Sequence, residues 1–163
     1  YAKLAQLPFV KTICETGFNA GHDSLIWLAG NNHSKVYSFD IGDHDYAKAA
    51  AEYLQSKYPG RLNVTWGDST KTMPKFIKDN PDVKCDLIIV DGGHTVECAT
   101  EDFINFRNMA TRTNLVVFDD YPTMNGLGPL LAPVWESQIR KGILVEQYAC
   151  QKDDHRGFAI GHF

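Results

Sequence analysis

The chain has 163 residues, 44% of them hydrophobic and 22% charged, and carries a net charge of −4 at pH 7. That length suits one domain able to bury a core of its own, and the composition is that of an ordinary globular protein. The acidic balance leaves no basic stripe to neutralise phosphates, which excludes a nucleic-acid binder. No apolar run approaches the roughly 20 residues needed to span a bilayer. The sequence opens on Tyr1 rather than Met, as expected of an excised or processed part of a longer chain.

In chain order, β-rich runs are predicted at Thr12–Glu15, Lys35–Asp40, Leu62–Trp66, Asp86–Asp91 and Asn114–Asp119. Helical patterns fall between them, near Gly21–Ala29, Asp45–Tyr58, Thr70–Asp79, Thr95–Met109 and Pro129–Lys141. The run "DLIIVDGG" is apolar throughout, as a central parallel strand covered on both faces would be. Alternation of this kind predicts a doubly wound α/β fold with a parallel sheet and right-handed crossovers. The C-terminus departs from it. "GILVEQYAC" and "FAIGHF" read as strands joined by the polar turn "QKDDHRG", with no room for a helix, so they should pair antiparallel. Cys14, Cys85, Cys98 and Cys150 form no C-x-x-C pair and fall mostly in apolar segments. They are read as buried free thiols of a protein in the reducing cytoplasm.

The segment "TICETGFNAGHDSLIWLA" runs strand, glycine loop, helix. Gly17 and Gly21 permit positive φ and close approach of a ligand to the backbone, and the following helix offers free N–H groups. Asp40 ends the next strand, placed to accept from ribose hydroxyls. The spacing is G-x-x-x-G, so the G-x-G-x-x-G fingerprint that packs a pyrophosphate is absent. Glu15 precedes the first glycine. A carboxylate aimed into this loop would repel a pyrophosphate and suit a cationic amino acid group. The plain alternative makes both glycines ordinary turn residues.

These segments resemble class I S-adenosylmethionine (SAM) dependent methyltransferases. "ETGFNAGHDS" is similar to the family's first motif, with Asn19 where many members have a middle glycine. "YSFDIGD" is similar to the second, with Asp40 as ribose ligand. "VTWGDST" is similar to the third, which implies Asp68 and Ser69 at the adenine, and "CDLIIVDGGH" to the fourth. The resemblance runs from Thr12 to Phe163 and implies a seven-stranded sheet of order 3-2-1-4-5-7-6 with strand 7 antiparallel. It also implies SAM bound by Glu15, Gly17, Asn19, Gly21, Asp40, Asp68, Ser69 and Asp91.

A second constellation stands at the strand ends. Asp91 ends the fourth strand, Asp119 ends the fifth, and Asp120 is next. Neighbouring parallel strands are about 5 Å apart. Three crowded carboxylates repel unless something offsets them, and Mg²⁺ with oxygen ligands is the simplest answer. His94, three residues after Asp91, is a candidate general base for a hydroxyl proton. The set resembles metal-dependent O-methyltransferases of the catechol and caffeoyl-CoA type. There a basic residue stands at the position of His94, and an Asp-Asn pair at those of Asp119 and Asp120. The His and the acidic pair of this chain look closer to the macrolide sugar O-methyltransferases. The expected catalytic residues are then His94 and Asp91, the metal ligands Asp91, Asp119 and Asp120, and the acceptor a small polyol, sugar or phenol. The plain alternative has Asp91 cap the following helix and Asp120 sit in a turn. A non-catalytic SAM-binding module and an NAD-dependent oxidoreductase are the rival functions. Only "YAKLAQLPFVK" precedes the first strand, where relatives carry helices that close the site. An open pocket, or a homodimer that completes it, is expected.

Overall fold

Strand and helix alternate along the computed structural model, which describes residues 1–163. The elements are α1 (Ala2–Ala5), β1 (Thr12–Thr16), α2 (His22–Gly30), β2 (Lys35–Asp40), α3 (Asp45–Lys57), β3 (Leu62–Trp66) and α4 (Ser69–Asp79). There follow β4 (Cys85–Val90), α5 (Val96–Met109), β5 (Ala110–Asp119), α6 (Gly128–Arg140), β6 (Val145–Gln151) and β7 (Gly157–His162). One sheet holds all the strands in the order β3-β2-β1-β4-β5-β7-β6. β7 runs antiparallel to both β5 and β6, and the remaining pairs are parallel. This is the Rossmann-like order, with strand 7 antiparallel, that the family resemblance implied. The short α1 was not foreseen.

The strands sort their apolar residues by period 2 onto two faces. Ile13, Leu87, Ile89 and Val117 pack with Trp27 and Leu28 of α2 and with Ala51 and Leu54 of α3. Cys14, Ile88, Val90, Val116 and Phe118 pack with Met73, Phe103, Phe106 and Trp135 from α4, α5 and α6. Helices therefore cover both faces, which is why "DLIIV" is apolar without alternation. Each layer's helices begin near the carboxyl ends of the strands, so their first turns and the preceding loops form one rim. No helix is long and apolar enough to cross a membrane.

Cys14 and Cys85 are not free thiols. They form a disulfide within the core, their Cα atoms 5.8 Å apart across β1 and β4. Their separation of 71 residues hid a pairing that adjacent strands create. Cys98 and Cys150 are free, as expected, but half-buried rather than buried. With half the cysteines oxidised, thiol usage no longer argues for a reducing compartment.

Candidate active site

A cavity of about 360 Å³ opens at the carboxyl ends of β1, β2 and β4, the edge where open α/β sheets bind ligands. Thr16, Gly17 and Asn19 form one wall, and Asp40, Ile41, Asp43 and His44 another. Asp68 and Ser69 close a third side, and the Asp91–His94 turn with Cys98 of α5 the fourth.

Gly17 adopts φ 91°, and a Cβ there would lie 1.8 Å from the backbone oxygen of Asp91. Its lack of a side chain lets the β1 and β4 turns touch; the requirement comes from backbone first. Gly21, the N-cap of α2 at φ 74°, is packed against Phe18 and Leu54 and does not line the cavity, which corrects its expected place at the cofactor. Asn19 holds φ 49°, a left-handed conformation that Asn tolerates. Its N–H donates to Asp40 Oδ2 at 2.9 Å, and its side-chain oxygen accepts from the Tyr46 hydroxyl at 2.7 Å. The other oxygen of Asp40 accepts from the Gly42 N–H at 2.7 Å. Two backbone donors thus fix the Asp40 carboxylate at the cavity wall, each oxygen keeping a lone pair free.

Glu15 is a second correction. Its side chain turns into the core, because successive residues of a strand face opposite sides. Ser24 Oγ donates to one of its oxygens and Trp27 Nε1 to the other at 3.0 Å. The carboxylate does not enter the glycine loop. Asp68 is the N-cap of α4 and accepts from the Thr70 N–H at 3.0 Å and from Lys71 Nζ at 2.7 Å. Ser69 Oγ lies 3.6 Å from Cys98 Sγ. Both residues reach the cavity, so Asp68 serves the helix and faces the pocket at once.

At the outer rim Asp91, His94 and Asp120 offer one ligand atom each within 4.8 Å of one another. His94 Nε2 stands 3.5 Å from Asp120 and 3.9 Å from Asp91, the latter an ion-pair distance rather than a hydrogen bond. Thr95, not Asp91, caps α5, through the Cys98 N–H. Asp120 holds φ 60°, a left-handed conformation, and its carboxylate stands in the cluster with Asp91 and His94. Asp119 itself lies outside the three-residue cluster, contrary to its expected place among the ligands. Its carboxylate accepts from the Tyr1 hydroxyl at 3.2 Å, and that ring stacks on Trp27.

A family model described as a methyltransferase domain matches residues 14–121. The chain belongs to this methyltransferase family. No protein among the curated sequences matches it significantly. Among solved structures it is similar to the O-methyltransferase TomG of Streptomyces achromogenes, involved in tomaymycin synthesis and solved with SAM. That likeness has TM-score 0.79 and 17% identity, over 99% of this chain and 76% of the other. The SAH-bound methyltransferase PaMTH1 of Podospora anserina gives TM-score 0.77 at 15% identity, over 99% and 75%. A TDP-rhamnose 3′-O-methyltransferase of calicheamicin biosynthesis gives 0.77 at 16%, over 97% and 74%. At such identities the likeness speaks for the fold.

The electrostatics of the methyltransferase rim follow from its crowding. Burial, then the charges of Asp91 and Asp120, push Asp119 up to about 7, against the pull of the Tyr1 hydroxyl. Burial and then Asp91 also raise Asp120, while His94 lowers it. His94 is itself raised, first by Asp91 and then by Asp120, against its partial burial. Asp23, in the first turn of α2, is raised by burial and by Asp91 and extends the negative field. Sequence reasoning missed Asp23, Tyr1 and Asp102. The last had a legible signal: Ala99, Asp102, Phe103 and Phe106 share one helical stripe, and a carboxylate in an apolar stripe is anomalous.

Proposed function

We propose that this methyltransferase moves the methyl group of SAM to a hydroxyl of a small polyol, sugar or phenol placed beside a divalent cation. The observation that carries the reading is the convergence of Asp91, His94 and Asp120 at the rim of the cavity that Gly17, Asp40 and Asp68 also line. Ribose hydroxyls would meet the free lone pairs of Asp40 and the adenine edge Asp68 and Ser69. The methionine end would then meet Gly17 and Asp91, in the part of the cavity that His94 also lines.

Two carboxylates that repel each other and face one imidazole fit a divalent cation by charge and donor type. Asp91 and Asp120 would hold it, with Mg²⁺ or Mn²⁺ matching their oxygens. When bound, it supplies positive charge that lowers the pKa of a nearby acceptor hydroxyl. His94, held between the two carboxylates, takes the hydroxyl proton at Nε2. The acceptor oxygen then attacks the SAM methyl in line. As its bond to carbon forms, the carbon–sulfur bond breaks, and the sulfonium becomes the uncharged thioether of S-adenosylhomocysteine (SAH).

The test is methyl transfer from labelled SAM to a panel of polyols, sugars and catechols, with Mg²⁺, Mn²⁺ or EDTA. Turnover should vanish with EDTA, and Asp120→Asn should lose the response to metal while still binding SAH. Turnover indifferent to both EDTA and Asp120→Asn would remove the metal from the mechanism. SAM binding without turnover of any acceptor would favour the non-catalytic module.

A further inference from the structure

Asp102 is fully buried on α5, and neither of its carboxylate oxygens has a hydrogen-bond partner. The hydroxyl of Thr16, also buried, is unpartnered too. The two meet at Gly92. A Cβ on that residue would lie 3.0 Å from Thr16 Oγ1 and 3.1 Å from Asp102 Oδ2. Thr16 and Gly92 are themselves cavity wall. Asp102 therefore sits one side-chain-less residue behind the surface that a ligand would touch.

An unpaired buried carboxylate destabilises a fold, and a protein that retains one has a use for it or a partner that arrives later. Burial raises this group to about 6. The nearby hydroxyls of Ser69 and Thr16 pull it down without reaching hydrogen-bonding geometry, and the charges of Asp68 and Glu101 raise it. No cation of the protein answers it. Under the reading above, with ribose at Asp40 and adenine at Asp68, the sulfonium and ammonium of SAM lie over Thr16, Gly17 and Gly92. SAH keeps the ammonium and lacks the sulfonium charge. A fixed anion behind this wall, shielded from water, distinguishes the two.

We propose that Asp102 is a specificity-determining residue that favours SAM, with its sulfonium charge, over the product that has lost that charge, and so assists product release. The inference rests on SAM binding in this cavity. Its signature is that stability and selectivity move in opposite directions, since a buried unpaired charge weakens the fold.

The experiment measures melting temperature and calorimetric affinity at pH 8 for wild type and Asp102→Asn. The ligands are SAM, SAH and the SAM analogue in which a protonated amine replaces the sulfonium. Asp102→Asn should melt roughly 5 °C higher. It should bind SAM and the amine analogue more weakly, by on the order of tenfold, and SAH, which keeps only the ammonium, by a clearly smaller factor, so that the ratio of SAM to SAH affinity falls. A lower melting temperature with all three ligands weakened equally would make Asp102 merely structural and overturn the proposal. So would an unchanged ratio of SAM to SAH affinity. Should Asp102→Asn not fold, Asp102→Ala, which removes the charge and buries no amide, takes its place: a lowered ratio of SAM to SAH affinity supports the proposal, and an unchanged ratio overturns it. Failure of wild type to bind either SAM or SAH would instead refute the cofactor assignment.

Discussion

Replacing Glu15 by Gln tests the reasoning about buried charge most directly. Burial pushes this carboxyl from 4.5 up to about 7, although Ser24, Ser38 and Trp27 pull it back. The folded protein therefore binds the proton more tightly than the unfolded chain. Between those two values the native state holds more protons, so stability falls as pH rises, is complete below pH 4.5 and has lost the whole contribution above pH 7. At about 1.4 kcal/mol per unit, the swing is about 3 kcal/mol. Glu15→Gln is uncharged throughout. Its amide oxygen still accepts from Trp27, and its amide nitrogen donates to Ser24, whose hydroxyl turns round to accept. Urea unfolding at intervals from pH 4 to pH 8 should show the variant gaining about 3 kcal/mol on wild type across this window. Asp119 and Asp102 are raised as well and tilt both curves alike, so the difference between curves isolates Glu15. Two parallel curves would refute the claim that burial makes this carboxyl hold its proton more tightly in the folded state.

Other consequences can be checked independently. Intact-mass analysis after alkylation of the native protein should show at most two modified thiols, Cys98 and Cys150, and four after reduction in denaturant. Closing a loop of 71 residues, the Cys14–Cys85 bond should be worth about 4 kcal/mol in urea unfolding with and without reductant. Gly17→Ala forces a methyl to 1.8 Å from the Asp91 carbonyl, so it should lower stability by about 2–3 kcal/mol and weaken SAH binding together. A normal melt would contradict the contact between the two turns. Asp40→Ala removes the acceptor for the Asn19 and Gly42 N–H groups and should weaken SAM about tenfold or more by calorimetry. An unchanged affinity would move the ribose elsewhere.

Local chemistry made much of this molecule legible in advance. Apolar runs bounded by glycine and polar turns fixed the order of strands and helices, because burial on two faces demands uninterrupted apolar residues. The helix-free hairpin at the C-terminus carried the antiparallel strand. Asp40 and Asp91 were placed at strand ends by the pattern of the runs they close, Asp68 and Ser69 by the family resemblance, and strand ends of one parallel sheet share one rim.

What the sequence by itself determined is the fold and the edge at which the site lies, since period and spacing set which face and which end of a strand a residue occupies. Tertiary structure alone decided what each side chain does there. It turned Glu15 toward Ser24 and Trp27, diverted Asp119 to Tyr1, and left Asp91, His94 and Asp120 together. It joined Cys14 to Cys85 and hid Asp102 behind Gly92. Each of these depends on residues far apart in the chain meeting within a few ångströms. No local rule encodes such contacts, because they arise from the packing of helices on both faces of a completed sheet.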